Sequence, residues 1–366
     1  MDDYHIVDTH KMPTPALVVY RHIVEENIRR IGEILGGYGG LRAHIKTHKM
    51  SRVVRMEMEA GIDKFKCATP KEAARLAAAG ITDILIAYPV VGAAVERVVS
   101  LRRSYPGIDL RVTADDAGAL VALSDACDDD ITLGVMVDLN TGMDRTGAPP
   151  GEAALALAKT IADLPGLTFD GLHVYDGHVG GVPDPEIRRQ TALESVEKAV
   201  ATRRLIEKEG VGVKTLVASG SPGFEFTAGV PGVDEVSPGT WVFWDNGYNT
   251  LNPGRFRFAA LVLSSVISTP GPDLITLDAG SKAVAPDTPE PHFRALNLPE
   301  NVEFVLRNEE HQVLRLPPGT PRPAVGDLCY LVPYHICTTV NLYDEACIIN
   351  DHGAFVETWP VDARGH

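Results

Sequence analysis

No apolar run in this 366-residue chain reaches the roughly eighteen residues needed to cross a bilayer. The start, Met1-Asp2-Asp3-Tyr4-His5, has neither the basic residues nor the apolar stretch of a signal peptide. Cytoplasmic residence, with no membrane partner, is therefore the expectation. Cysteine is scarce: Cys67, Cys127, Cys329, Cys337 and Cys347 are odd in number, scattered and without CxxC spacing, which argues against a disulfide framework. Basic residues are outnumbered, 34 Lys and Arg against 49 Asp and Glu, and a net charge of −15 argues against an electrostatic grip on nucleic acid or an anionic membrane. Internal repeats, low-complexity tracts and long linkers are also lacking. What is present is ordinary for a globular chain, 45% hydrophobic and 23% charged, and long enough for one large core and a smaller one. Two domains and a small-molecule partner are expected.

From Leu41 to Trp244 short β-branched runs alternate with amphipathic stretches of helical length, the mark of βα units around a parallel sheet. Eight strands are read: Arg42–Lys46, Lys64–Ala68, Ile84–Tyr88, Leu110–Thr113, Leu133–Asp138, Gly171–Tyr175, Thr215–Ala218 and Asp234–Ser237. Eight such units imply an α/β fold closed as a (β/α)8 TIM-type barrel. The helix after Ala68 is well marked: Thr69 is an N-cap, Pro70 takes the first helical position, Glu72 completes a capping box, and Gly80 stops the run. An earlier strand, Ala16–Tyr20, and a helix from about His22 to Leu35 either cover the barrel's end or belong elsewhere. After about Asn252 the pattern becomes short alternating segments, Ala260–Ile267, Leu274–Leu277, Val302–Val305, Leu328–Val332 and Ala346–Ile349, divided by turn signals. The expected division is a barrel over 14–252 and a mostly antiparallel β domain over 253–366 together with 1–13.

Reacting groups of such a barrel gather where the strands end. The first strand runs into His44-Ile45-Lys46-Thr47. A lysine there is placed to form an imine with an aldehyde cofactor, because partial desolvation makes its amine nucleophilic; on its own it reads equally as a surface lysine. The fifth strand leads into Gly142-Met143-Asp144-Arg145, whose Arg145 either holds an anionic oxygen with its planar fork or pairs with Asp144 or Asp138. The sixth presents His173 and Tyr175 on one face, Tyr175 stacking on a planar cofactor or packing in the barrel core. Ser219-Gly220-Ser221 and Gly239-Thr240 follow the last two strands, where small residues let backbone amides approach an anion. Both loops together favour a phosphorylated ligand. In the β domain, His335 and Cys337 project to one side if their segment is extended, a partial zinc site or a buried pair.

The set formed by Arg42-Ala43-His44-Ile45-Lys46-Thr47-His48-Lys49, Lys64-Phe65-Lys66-Cys67-Ala68-Thr69, Gly142-Met143-Asp144-Arg145-Thr146-Gly147 and His335-Ile336-Cys337-Thr338-Thr339-Val340-Asn341 resembles the D-threonine aldolase and D-serine dehydratase family of pyridoxal phosphate enzymes, within the alanine-racemase-like fold. The resemblance runs from Thr14 to the end. It implies a homodimer acting on a small D-amino acid, with pyridoxal 5′-phosphate on Lys46, Tyr175 against the cofactor ring and Arg145 near its phenolic oxygen. It further implies Ser219, Gly220, Ser221, Gly239 and Thr240 around the phosphate, and a divalent metal on His335 and Cys337. Two departures stand out. Several aldolases of the group have Asp where Cys337 stands, and a thiolate favours zinc over manganese or magnesium. The group's catalytic histidine, six residues beyond the stacking tyrosine, is here Gly181, and the nearest replacement is His178.

The expected reaction is cleavage of a D-3-hydroxy amino acid to glycine and an aldehyde. D-Serine-type dehydration to a 2-oxo acid and ammonia is the runner-up, ahead of racemisation or a non-catalytic barrel that carries the cofactor.

Overall fold

The computed structural model describes residues 4–7, 9, 12–128 and 130–366. Residues 1–3, 8, 10 and 11, expected in the β domain, thus lie outside the described residues. The chain forms two compact units. One holds the described residues up to Arg30 with Thr47–Arg52 and Thr240–Arg364; the other holds Ile31–Lys46, Val53–Gly239 and Gly365–His366. The first strand, β1 (Ala16–Tyr20), lies in the former.

The second unit is the expected barrel. Its strands are β2 (Ala43–His44), β3 (Lys64–Cys67), β4 (Asp83–Pro89), β5 (Asp109–Ala114), β6 (Leu133–Leu139), β7 (Leu167–Val174), β8 (Thr215–Ala218) and β9 (Glu235–Val236), paired in parallel in chain order. The sheet returns on itself: Arg42 N donates to Val236 O at 3.0 Å and Val236 N to Gly40 O at 2.9 Å. The ladder of β2 stops at His44, short of the expected Lys46, because the chain turns at Ile45 and Lys46. Inside, Leu85, Met136 and Val217 from alternate strands form one fully buried layer, the interdigitation that fills barrels of this size.

A buried ion network ties the beginnings of the strands together. Arg42 donates to Glu235 and to Asp83, each at 2.6 Å, while Arg111 joins Asp83 and Asp170. Between β3 and β4, Thr69 Oγ1 accepts the Glu72 N–H at 3.2 Å as the capping signal requires, and Gly80 ends the helix with φ +92°. Glu72 reaches back one residue further than a capping box does, to the Ala68 N–H at 2.7 Å.

The other unit is a sheet in the order β13-β14-β11-β10-β1-β16-β17, with β15 also on β10 and β12 on β15. Its strands are β10 (Ala260–Ser268), β11 (Leu274–Leu277), β12 (Phe293–Ala295), β13 (Glu303–Arg307), β14 (Gln312–Arg315), β15 (Leu328–Pro333), β16 (Glu345–Ile349) and β17 (Phe355–Pro360). Strand β1 settles here, antiparallel to β10 (Ala16↔Leu263) and parallel to β16 (Val18↔Cys347). The division at residue 252 therefore differs from the compact units: Ala-Leu-Val-Val-Tyr, buried along its length, has its ladder partners in the β sheet. The remaining pairings are antiparallel, over a core that includes Val262, Leu277, Phe293, Leu314 and Leu331. Among the described residues no helix is long and apolar enough to cross a membrane.

Candidate active site

The barrel's strand ends enclose a cavity of about 380 Å³, lined by Lys46, Lys66, Asp138, Arg145, His173 and Tyr175 among others, a size suited to a small ligand. Tyr175, one residue past β7, is its centrepiece. Lys46 Nζ lies 5.4 Å from the ring centroid and the Arg145 guanidinium carbon 4.7 Å from it, both within cation–π range. Two glycines make room for the ring. A Cβ on Gly220 would meet Tyr175 Cε2 at 2.6 Å, and one on Gly177 would meet Cε1 at 2.5 Å.

Beside this ring β6 and β7 place Asp138 and His173 as register partners. Asp138 Oδ1 accepts from His173 Nδ1 at 2.7 Å and Oδ2 from Thr146 Oγ1 at 2.9 Å. Burial alone would raise the Asp138 carboxyl, but the His173 and Thr146 bonds outweigh it and hold it below the usual range. Burial also lowers His173, against the pull of Asp138. The result is an ionised carboxylate that holds a neutral imidazole, whose Nε2 is buried without a hydrogen-bond partner among the described residues.

Lys66, on β3, lines the same cavity and is 2% exposed. Burial, then the charge of Lys46, push its amine down to about 7 against the attraction of Asp176 and Asp138. It donates to Ser237 Oγ, which in turn donates to Ser219 O at 3.2 Å. Lys66 is a site residue beyond those expected from the sequence, where its alternation with Lys64 on an otherwise apolar strand was the available signal.

The expected phosphate loops are tightly organised. Ser219 adopts φ +60° and its hydroxyl meets Thr227 Oγ1 at 2.9 Å. Gly220 N donates to Asp176 Oδ1 at 2.8 Å and Gly239 N to Ser221 Oγ at 3.2 Å. These two amides are thus engaged within the chain, and Asp176, fully buried, is a carboxyl that burial raises. His178 stands apart from the cavity lining: a Cβ on Gly142 would lie 3.2 Å from its Nε2.

Thr240, His335 and Cys337 belong to the β unit. Residues 336–340 form a short helix with His335 as N-cap, which corrects the extended reading of the segment; the ring and sulfur nonetheless come within hydrogen-bond reach. Cys337 Sγ lies 3.2 Å from Thr47 Oγ1 and 3.8 Å from Thr240 Oγ1. His335 Nδ1 meets Asp287 Oδ2 at 2.6 Å, and Thr338 Oγ1 donates to Asp287 Oδ1 at 2.9 Å. Burial disfavours the His335 charge, yet Cys337 and then Asp287 push the ring up to about 10.

An imidazole backed by a carboxylate and joined by a sulfur suits a soft divalent metal. Among the described residues no group of three or more His, Cys, Asp or Glu could hold a metal. Asp287, 48 residues from His335, carried no signal in the sequence. A larger cavity of about 540 Å³ in the β unit, lined by Asn246, Arg294 and Tyr334 among others, offers neither lysine nor cysteine.

Residues 21–247 match the family model described as the alanine racemase N-terminal domain, and residues 259–349 match one described as a serine dehydratase domain. The chain is 30% identical to a D-threonine aldolase of an Arthrobacter species, over 97% of this chain and 93% of that protein. It is 29% identical to a 3-hydroxy-D-aspartate aldolase of Paracoccus denitrificans, over 98% and 94%. The crystal structure of a D-threonine aldolase from Filomicrobium marinum superposes with a TM-score of 0.90 at 29% identity, covering 97% of this chain and 96% of that one.

Proposed function

The chain belongs to the family whose model is the alanine racemase N-terminal domain, and on that premise we propose that it is a pyridoxal 5′-phosphate lyase that cleaves D-3-hydroxy amino acids as a D-threonine aldolase does, to glycine and an aldehyde. The observation that carries this reading is the convergence of Lys46 and Arg145 on the Tyr175 ring inside one cavity of strand ends. Full-length similarity to two aldolases supports it. A cytoplasmic homodimer is part of the same reading.

Pyridoxal phosphate, when bound, supplies an electron sink for the bond at Cα that stands perpendicular to its ring. The chain's residues do the rest. Lys46 is the amine that holds the cofactor, Tyr175 gives it a flat apolar surface, and Arg145 offers two donors to an anionic oxygen. Ser219, Gly220, Ser221, Gly239 and Thr240 are assigned to the phosphate, which the Gly220 and Gly239 amides would meet in exchange for their bonds to Asp176 and Ser221. The base needs a free nitrogen of neutral imidazole near the cavity, and His173, oriented by Asp138, has one. We assign to its Nε2 the proton of the substrate's β-hydroxyl, in preference to His178. Lys46 Nζ, left as an ammonium when the substrate's amine displaces it, then gives a proton to Cα of glycine, and the proton on His173 passes to solvent. A divalent metal on His335 and Cys337, zinc rather than manganese or magnesium, would supply a Lewis acid.

The thiol of Cys337 and the match to a serine dehydratase domain favour one other reading, D-serine-type dehydration. There Lys46 Nζ takes the Cα proton, the hydroxyl departs with that proton as water, and a water molecule hydrolyses the resulting enamine to a 2-oxo acid and ammonia. Incubation of the holoprotein with D-threonine and with D-serine, plus zinc or manganese, separates the two by product: glycine with acetaldehyde, or a 2-oxo acid with ammonia. Absence of turnover with every D-3-hydroxy amino acid would sink both.

A further inference from the structure

The roles above leave Lys66 without a task, and its surroundings give it one. It sits inside the barrel on β3, among the lining of the cavity that holds Lys46. The charged and titratable groups around it come from several elements: Arg42 ahead of β2 and Lys46 after it, Asp138 at the end of β6, and Asp176 after β7. His44 on β2 and His173 on β7 also face it, both kept neutral by burial. Two cations and two carboxylates leave this centre near balance, so a buried ammonium gains no surplus of negative charge to offset its lost hydration. Its bond to Ser237 Oγ, and that hydroxyl's bond to Ser219 O, connect it to the Ser219–Ser221 loop.

We propose that Lys66 is a proton-linked anchor for an oxyanion: it takes up a proton from solvent as the phosphate of a cofactor or the carboxylate of an amino acid enters the cavity, and gives it back when that anion leaves. No covalent bond is made or broken. An amine held near 7 is suited to this, because an entering negative charge favours its protonated form. The identity of the anion rests on the proposed function; the linkage itself does not.

Apoprotein titrated calorimetrically with sulfate, which does not itself titrate near neutrality, tests the idea; acetate provides the carboxylate arm. In buffers of different ionisation enthalpy, about one proton should be taken up per anion at pH 8 and almost none at pH 6, with affinity about tenfold weaker at pH 8. Lys66→Arg should bind at both pH values with no proton uptake, and Lys66→Gln should lose both affinity and uptake. Linkage with sulfate alone identifies the phosphate as the anion, and with acetate alone the carboxylate. Affinity independent of pH in the native protein, or proton uptake that survives in Lys66→Gln, would overturn the proposal. Retained pyridoxal phosphate binding in that case would leave the proposed function standing, whereas failure of the cofactor to bind would strike that reading separately.

Discussion

Replacing Gly220 by alanine would press directly on the ring around which the site is built. The added Cβ would start 2.6 Å from Tyr175 Cε2. To regain a normal carbon–carbon contact of about 3.5 Å the ring edge must retreat by about 0.9 Å. The retreat is toward Gly177, where the ring already fills the space of the missing Cβ, 2.5 Å from Cε1, so that edge has little room to give. Neither glycine has a positive φ that would strain an alanine, so the effect is confined to the ring and to Lys46 and Arg145 beside it. Overpacking of this kind costs about 1–3 kcal/mol, and a misplacement near 1 Å in a positioning surface costs about 10²-fold in rate. Gly220→Ala should therefore lower kcat on D-threonine by about that factor with a modest drop in Tm, and Gly220→Ala combined with Tyr175→Ala should recover the Tm without recovering kcat. Steady-state kinetics with thermal unfolding of the holoprotein makes the measurement. Native kcat and Tm in the single variant would refute the reasoning.

The other expectations are read by different assays. His173→Phe should lower kcat by about 10²-fold or more and His178→Phe by far less; the reverse ranking would return the proton-carrying role to His178. Asp287→Asn should weaken zinc binding by about 10–100-fold in competition with a chromophoric chelator, and unchanged affinity would mean that the carboxylate does not orient His335. With the Lys66 amine lowered from 10.5 to about 7 in the folded protein, the unfolded chain binds a proton that the folded one has released. Stability of the apoprotein should thus rise with pH across that interval, and Lys66→Met should flatten the rise and be the more stable form below pH 7, as urea unfolding at pH 6 and pH 9 would reveal.

Local signals were legible in the sequence and distant pairings were not. Runs such as Leu133–Asp138 announce strands because β-branched and apolar residues cluster between turn residues, and Thr69-Pro70-Glu72 announces a helix start because its bonds span three residues. Lys46, Arg145 and Tyr175 could be grouped from the sequence because each stands at or beyond a strand end, and strand ends share one mouth of a barrel; all three line one cavity. The burial of Lys66 depends on the closed sheet around it. The pairing of Asp138 with His173 depends on the β6–β7 register, and that of Asp287 with His335 on the fold of the β unit. The placement of β1 likewise depends on β10 and β16, more than 200 residues away.

The assignment of the cofactor to Lys46 is tested most directly by borohydride. Reduction of the protein after addition of pyridoxal phosphate fixes the cofactor on the amine that holds it, and peptide mass mapping then locates the label. Stoichiometric modification of Lys46 is expected, absent in Lys46→Ala; a label on Lys66 or another lysine, or none, would contradict the assignment.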